Sequence, residues 1–200
     1  MCHLLSAASV LLVLLQSVPF AAAGGPGSSR PDGTSRDARA RAQRPAPTGA
    51  ARFPELAWLA GEWQGYGRFD TRVTYIHKSF AYDVAGRYLI ERTRDMFPPE
   101  KPTTEFELHQ DFTTYYRTDT GGCRAKGFFV EGYVWNSTVT ATGDRIVVET
   151  DTVENAPAGM RARITYVKDG PDGLTGTFEI AMPGQDFKMF EALVMRRIAR

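Results

Sequence analysis

From residue 61 to the C-terminus, apolar side chains recur at every second position, and clusters of Gly, Pro, Asp and Asn interrupt the alternation about every 8 to 15 residues. A chain patterned this way builds short antiparallel strands, because a period of two sends successive side chains to opposite faces. Segments 61–69, 72–82 and 87–95 are separated by Asp70-Thr71 and by the turn 83–86. The stretch 96–102 carries three prolines, which donate no ladder hydrogen bonds, so it reads as a loop. Segments 104–118, 123–135, 137–141, 145–150, 161–168, 174–181 and 187–197 supply the remaining strands, punctuated by Gly-rich turns. About ten strands with almost no helical pattern predict an all-β fold, a closed antiparallel β-barrel, since closure removes the unpaired edges such a chain would otherwise expose.

Several strands are apolar on both faces: in 187–196, Phe187, Met189, Leu193 and Met195 alternate with Phe190, Ala192 and Val194. A barrel strand packing both a lumen and a covered exterior explains this, and a homodimer face is a second way to hide the outer apolar side. Ahead of the strands, Pro54 sits where a first helical turn would start and Gly61 just past its end, so a short plug helix is expected over 53–60.

Residues 1–23 combine an apolar run with a small-residue end, Ala21-Ala22-Ala23, and read as a secretory signal peptide, which places the mature chain outside the cell or in a periplasm. The uninterrupted apolar stretch is too short to span a bilayer, so no stable membrane insertion is expected. Residues 24–51 are Gly, Pro, Ser, Ala and Arg with scarcely an aliphatic side chain and read as a disordered linker. The rest, 52–200, has the length of one domain with one core. Net charge is +1 at pH 7 and acidic residues intersperse the basic ones, which argues against nucleic-acid binding. Of the two cysteines, Cys2 falls in the signal segment, so the mature chain forms no internal disulfide and Cys123 is expected to be buried in a strand.

Three pieces of sequence carry a family resemblance: Leu59 to Gly67 (Leu-x-Gly-x-Trp-x-Gly-x-Gly), Gly86-Arg87-Tyr88-Leu89, and Phe187-Lys188-Met189-Phe190-Glu191 followed by Arg196-Arg197. In this order the 52–200 segment resembles an uncharacterised lipocalin-like family of calycin barrels. The resemblance implies structural roles for Gly61 and Trp63, with Arg196 or Arg197 lying across the indole by cation–π contact at the barrel floor. More distantly, the opening is similar to that of nitrobindin, a barrel whose haem iron is held by a His near the C-terminus. Here no His follows His109, and the matching region reads Phe190 to Met195, so no cofactor is expected, with haem held through Met or Tyr as the remaining alternative.

His77 and His109 are the histidines outside the signal segment. On neighbouring strands they could meet near Glu91 or Asp111 and bind a metal or act as acid and base, but no His-x-His spacing supports a metal site and none is assigned. Glu105, Glu107, His109 and Asp111 share one strand face, expected to be a solvated outer face, which would turn Phe106, Leu108, Gln110 and Phe112 inward. Arg161 and Arg163 could offer a fork to a ligand carboxylate, although the alternation favours the exterior. Asn136-Ser137-Thr138 forms a glycosylation acceptor between two expected strands. No nucleophile elbow, phosphate loop, dinucleotide fingerprint or zinc-protease motif occurs, so no catalytic residue is assigned.

These readings converge on an exported barrel that binds a small hydrophobic ligand without catalysis, through Tyr75, His77, Tyr88 and Tyr166 in the lumen. An isomerase or cyclase acting on an apolar substrate, with His77 and a carboxylate as acid and base, or a dimerising interaction module, are the alternatives.

Overall fold

The computed structural model describes residues 52–69, 71–99 and 107–198. The expected signal peptide and linker lie outside the described residues, as do Glu105 and Phe106. Ten strands form one closed antiparallel barrel: β1 (Gly61–Phe69), β2 (Arg72–Asp83), β3 (Tyr88–Phe97), β4 (Glu107–Arg117), β5 (Cys123–Phe128), β6 (Val134–Thr142), β7 (Arg145–Glu154), β8 (Arg161–Asp169), β9 (Gly173–Ala181) and β10 (Lys188–Arg197). Each strand pairs with the next in sequence, and β1 pairs with β10 to close the ring.

The expected plug helix is instead a turn followed by a 3-10 turn at Ala57–Leu59. The carbonyls that a continuing helix would hand to its own amides are taken by side chains. Trp63 Nε1 donates to Leu59 O at 2.7 Å, while the Arg197 guanidinium donates to Ala60 O and Trp58 O at 2.6 and 2.7 Å. The guanidinium also lies 4.2 Å from the Trp63 ring centroid, so Arg197, and not its neighbour, is the floor arginine. Arg196 points out to Asp169. Gly61 suits this position because its φ of 130° is a conformation that other L residues rarely adopt, and a Cβ would also press on the Arg197 guanidinium.

The turn seals one end. Phe53, Leu56 and Leu59 join Trp63, Phe80, Leu89, Tyr115, Ile146, Tyr166, Leu174 and Met195 in the core, and all eleven are essentially inaccessible to solvent. Each such side chain stabilises the fold by about 1.5–3 kcal/mol relative to exposure. Cys123 is buried in this shell, with its thiol pushed up to about 11 by burial.

Two local expectations are corrected. The stretch read as one strand over 123–135 is a hairpin, β5 and β6, that turns through Gly132, whose φ of 85° and N–H, donating a hydrogen bond to Phe129 O, make the reversal. Asn136 therefore lies within β6, at an irregularity in its pairing with β7, and hydrogen-bonds Thr152 and Glu154. The face assignment of β4 is reversed as well: Glu107, His109 and Asp111 face the lumen, and Leu108 and Phe112 face out. The outer surface is apolar enough to hold them, with Phe112 stacked on Phe128 at 5.7 Å and Arg92 lying over its ring.

Candidate functional site

The end opposite the 3-10 turn encloses a cavity of about 470 Å³. Its floor is a buried polar network. Lys78 on β2 donates to Glu91 Oε1 and to Thr93 Oγ1 on β3, both at 2.8 Å. Tyr166 from β8 donates to the same carboxylate oxygen at 2.7 Å, and Tyr115 from β4 to the other at 2.6 Å. Burial works against charge on both Lys78 and Glu91. Their mutual attraction and the tyrosine hydroxyls outweigh it, holding the lysine above its usual value and the carboxylate below.

Above this floor the two sides of the lumen differ in chemistry. One carries carboxyls: Asp95 on β3, Asp111 on β4 and Glu191 on β10. Burial raises all three. Asp95 reaches about 7, with Glu191, Asp111 and Glu91 adding to the effect and Lys78 opposing it. Glu191 accepts the Thr74 hydroxyl, and Gly67 leaves the space for that contact, because a side chain there would overlap the carboxylate. Asp111 accepts the Val130 amide at 3.1 Å. Asp95 Oδ1 is buried with no hydrogen-bond partner among the described residues.

The other side is aromatic. Five rings run in a continuous chain, Phe69 to Phe190 (4.3 Å between centroids), Phe190 to Phe178 (5.2 Å), Phe178 to Trp135 (5.6 Å) and Trp135 to Phe129 (4.0 Å). A pairing shift between Met189 and Glu191 brings both Phe190 and Glu191 to the lumen, so one irregularity supplies a residue to each side. At the mouth, His109 bridges Glu107 (2.9 Å) and Glu131 (3.1 Å) through its two ring nitrogens and packs on Phe97. Burial disfavours the imidazolium, but the bond to Glu107 and the charges of Glu131, Glu107 and Asp111 prevail and raise its pKa.

The residues chosen from sequence are divided by the barrel wall. Tyr166 faces inward, but as a donor to Glu91 beneath the cavity. Tyr75, His77 and Tyr88 alternate with the inward Ile76, Lys78 and Leu89 and stand on the outer face, one position out of phase with the lumen. Tyr75 packs on Tyr66, and His77 meets Glu62 at 3.1 Å, beside a more open outer groove of about 860 Å³ that also touches Arg94, Met96, Leu108, Val194 and Arg196. His77 and His109 thus occupy opposite faces and share no site. Arg161 and Arg163 lie outside too, flanking Phe187, with Arg163 bound to Glu179.

The imidazole in the lumen, His109, has both ring nitrogens engaged by carboxylates, and Tyr133, Met160 and Met182 line the same cavity. The sequence reading missed the acidic arc of Asp95, Asp111 and Glu191. The sequence carries little signal for it: Glu91, Thr93 and Asp95 stand at alternate positions, but the residues between them are Arg92 and Arg94, so both faces of this stretch are polar.

The structure thus defines a ten-stranded antiparallel barrel, sealed at one end and hollow at the other, consistent with a calycin-like barrel. No protein-family model matches the chain, and no curated protein matches it. Among solved structures it is similar to Rv2717c from M. tuberculosis, with a TM-score of 0.55 and 20% sequence identity, over 74% of this chain and 98% of that chain. The likeness is one of fold.

Proposed function

We propose that the protein is an exported carrier or receptor that holds a small molecule with a largely apolar body in the barrel lumen and leaves it chemically unchanged. The observation that carries this reading is a 470 Å³ cavity open at one end and walled on one side by five contiguous aromatic rings. Such a wall supplies contact area and shape for an apolar body, while a few polar groups orient it. Export rests on the composition of residues 1–23. Native mass spectrometry of the mature protein from its own host, with an absorption spectrum of the same sample, tests the reading. A co-purifying small molecule released on unfolding is expected. An apo mass, together with no saturable change in Trp fluorescence across a library of apolar compounds, overturns it.

One observation favours a second reading, acid–base catalysis on an apolar substrate in the same lumen. Asp95, with its pKa near 7, can both accept and donate a proton at neutral pH. On this reading the acid–base role assigned to His77 passes to Asp95. Turnover lost in Asp95→Asn while the substrate still binds would favour it over the carrier.

A further inference from the structure

Resting on the carrier reading, we infer that the lumen selects an organic cation: an amine or quaternary ammonium group on an apolar body. The argument begins with which charges are already matched. Lys78 is bound to Glu91 and Thr93, and His109 lies between Glu107 and Glu131, so the cations of the floor and mouth have their carboxylates. Arg72, also lining the cavity, lies over the Phe69 ring at 5.0 Å. Asp95, Asp111 and Glu191 are different. The hydrogen bonds found for Asp111 and Glu191 come from neutral donors, the Val130 amide and the Thr74 hydroxyl, and Asp95 Oδ1 has none among the described residues.

These three carboxyls belong to one arc of wall. Asp95 and Asp111 are diagonal neighbours, since β3 and β4 pair Thr93 with Asp111 and Asp95 with His109. Glu191 reaches Thr74 on β2 across the space left by Gly67 and is itself 95% buried, with 5% of its surface exposed. The aromatic chain lies in the same cavity. A cationic head inside it gains carboxylate partners and ring faces together, and both interactions strengthen away from water. Trp135 is a second, independent observation: only 5% exposed, it lines the cavity, and its Nε1 has no acceptor among the described residues, which a hydroxyl or carbonyl oxygen beside the cationic group would supply.

The opposite sign is disfavoured on the same grounds. A fatty-acid carboxylate would approach three carboxyls, and the lysine within the lumen is already held by Glu91. The Arg161 and Arg163 fork that could take such a head stands outside the barrel.

Three probes with the same tail test the inference on the mature protein at neutral pH: dodecyltrimethylammonium, dodecanol and dodecanoate, each below its micelle concentration, followed by Trp fluorescence and calorimetry. The cation is expected to bind about tenfold or more tightly than the alcohol, and dodecanoate the weakest, a spacing of at least one decade in Kd. The double variant Asp95→Asn, Asp111→Asn should shrink the cation-to-alcohol affinity ratio to within about threefold, whereas Glu62→Gln, on the outer face, should leave the ratio as it is. Equal binding of cation and alcohol, or tighter binding of dodecanoate, would overturn the charge assignment and leave the carrier reading standing. Absence of saturable binding by all three would sink the carrier reading and this inference with it.

Discussion

Lys78 Nζ and Glu91 Oε1, 2.8 Å apart on adjacent strands, divide the barrel into two halves of different chemistry. On one side lie Phe80, Tyr115 and Tyr166 and the sealed apolar core. On the other lie the carboxyls and aromatic rings of the lumen. A buried ion pair stabilises little against an apolar replacement of both partners, but removing one partner leaves an unmatched charge.

Lys78→Met should therefore destabilise the fold by about 3–5 kcal/mol, and adding Glu91→Gln should recover about half of that loss. Urea denaturation of the single and double variants measures both. A single-variant cost below about 1 kcal/mol would mean that Glu91 finds solvent or another partner.

Asp95 makes stability depend on pH in a definite direction. Its carboxyl holds a proton in the folded state up to about pH 7, whereas the unfolded chain releases it near the ordinary value of about 3.9. The folded state binds more protons across that interval, so this contribution to stability declines as pH rises from about 4 to 7 and is level above. Asp95→Asn should raise the melting temperature by several degrees at pH 8 and scarcely change it at pH 4. An equal effect at both pH values would contradict a buried carboxyl titrating near 7.

His109 contributes in the same sense by a different cause. Its pKa is raised by carboxylates on both ring nitrogens, so the stabilisation is complete below about 6.5 and is lost as pH rises through the folded-state value. In an NMR titration the His109 ring should titrate above 6.5, and Glu107→Gln or Glu131→Gln should each lower the midpoint. A wild-type midpoint at or below 6.5 would remove the bridge from solution.

Arg197 and Arg196 are adjacent in sequence but unequal in structure. Arg197→Ala loses the indole contact and leaves the Ala60 and Trp58 carbonyls without their donor, at a cost of about 2–3 kcal/mol. Arg196→Ala, removing an exposed charge 3.7 Å from Asp169, should cost less than about 0.5 kcal/mol. Thermal or chemical denaturation of the two variants decides which arginine serves the floor.

Cys123 should be inert in the folded protein. Burial raises its thiol to about 11, so at pH 8 little thiolate is present and access is restricted. In a Cys2→Ser background, labelling by a thiol reagent should be about a hundredfold slower or more in the native state than in denaturant. Comparable rates would place the thiol at the surface.

Strand number and closure were legible because alternation and turn residues are local signals: ten expected strands are matched by ten in the ring. The hairpin at Gly132 was not, because Phe129 to Tyr133 carries apolar and aromatic residues on both sides of the turn and reads as strand. Facing was the larger loss. With Tyr66, Tyr75, Met96, Leu108 and Val194 all exposed on the outside and Asp95, Asp111 and Glu191 inside, polarity does not report which side is the lumen. A shift of one residue then carried the expected site, Tyr75, His77 and Tyr88, through the wall.

The sequence by itself determined that this chain alternates, turns and closes, because those properties follow from spacing along the chain, while the grouping of Gly61, Trp63 and a terminal arginine was implied by the family resemblance. Only the tertiary structure decided which face is interior, which arginine reaches the floor, and that three carboxyls from three strands share one cavity with five aromatic rings. Register between strands sets these relationships, and it is fixed by the pairing of residues far apart in the chain, a cooperative property that no local pattern carries.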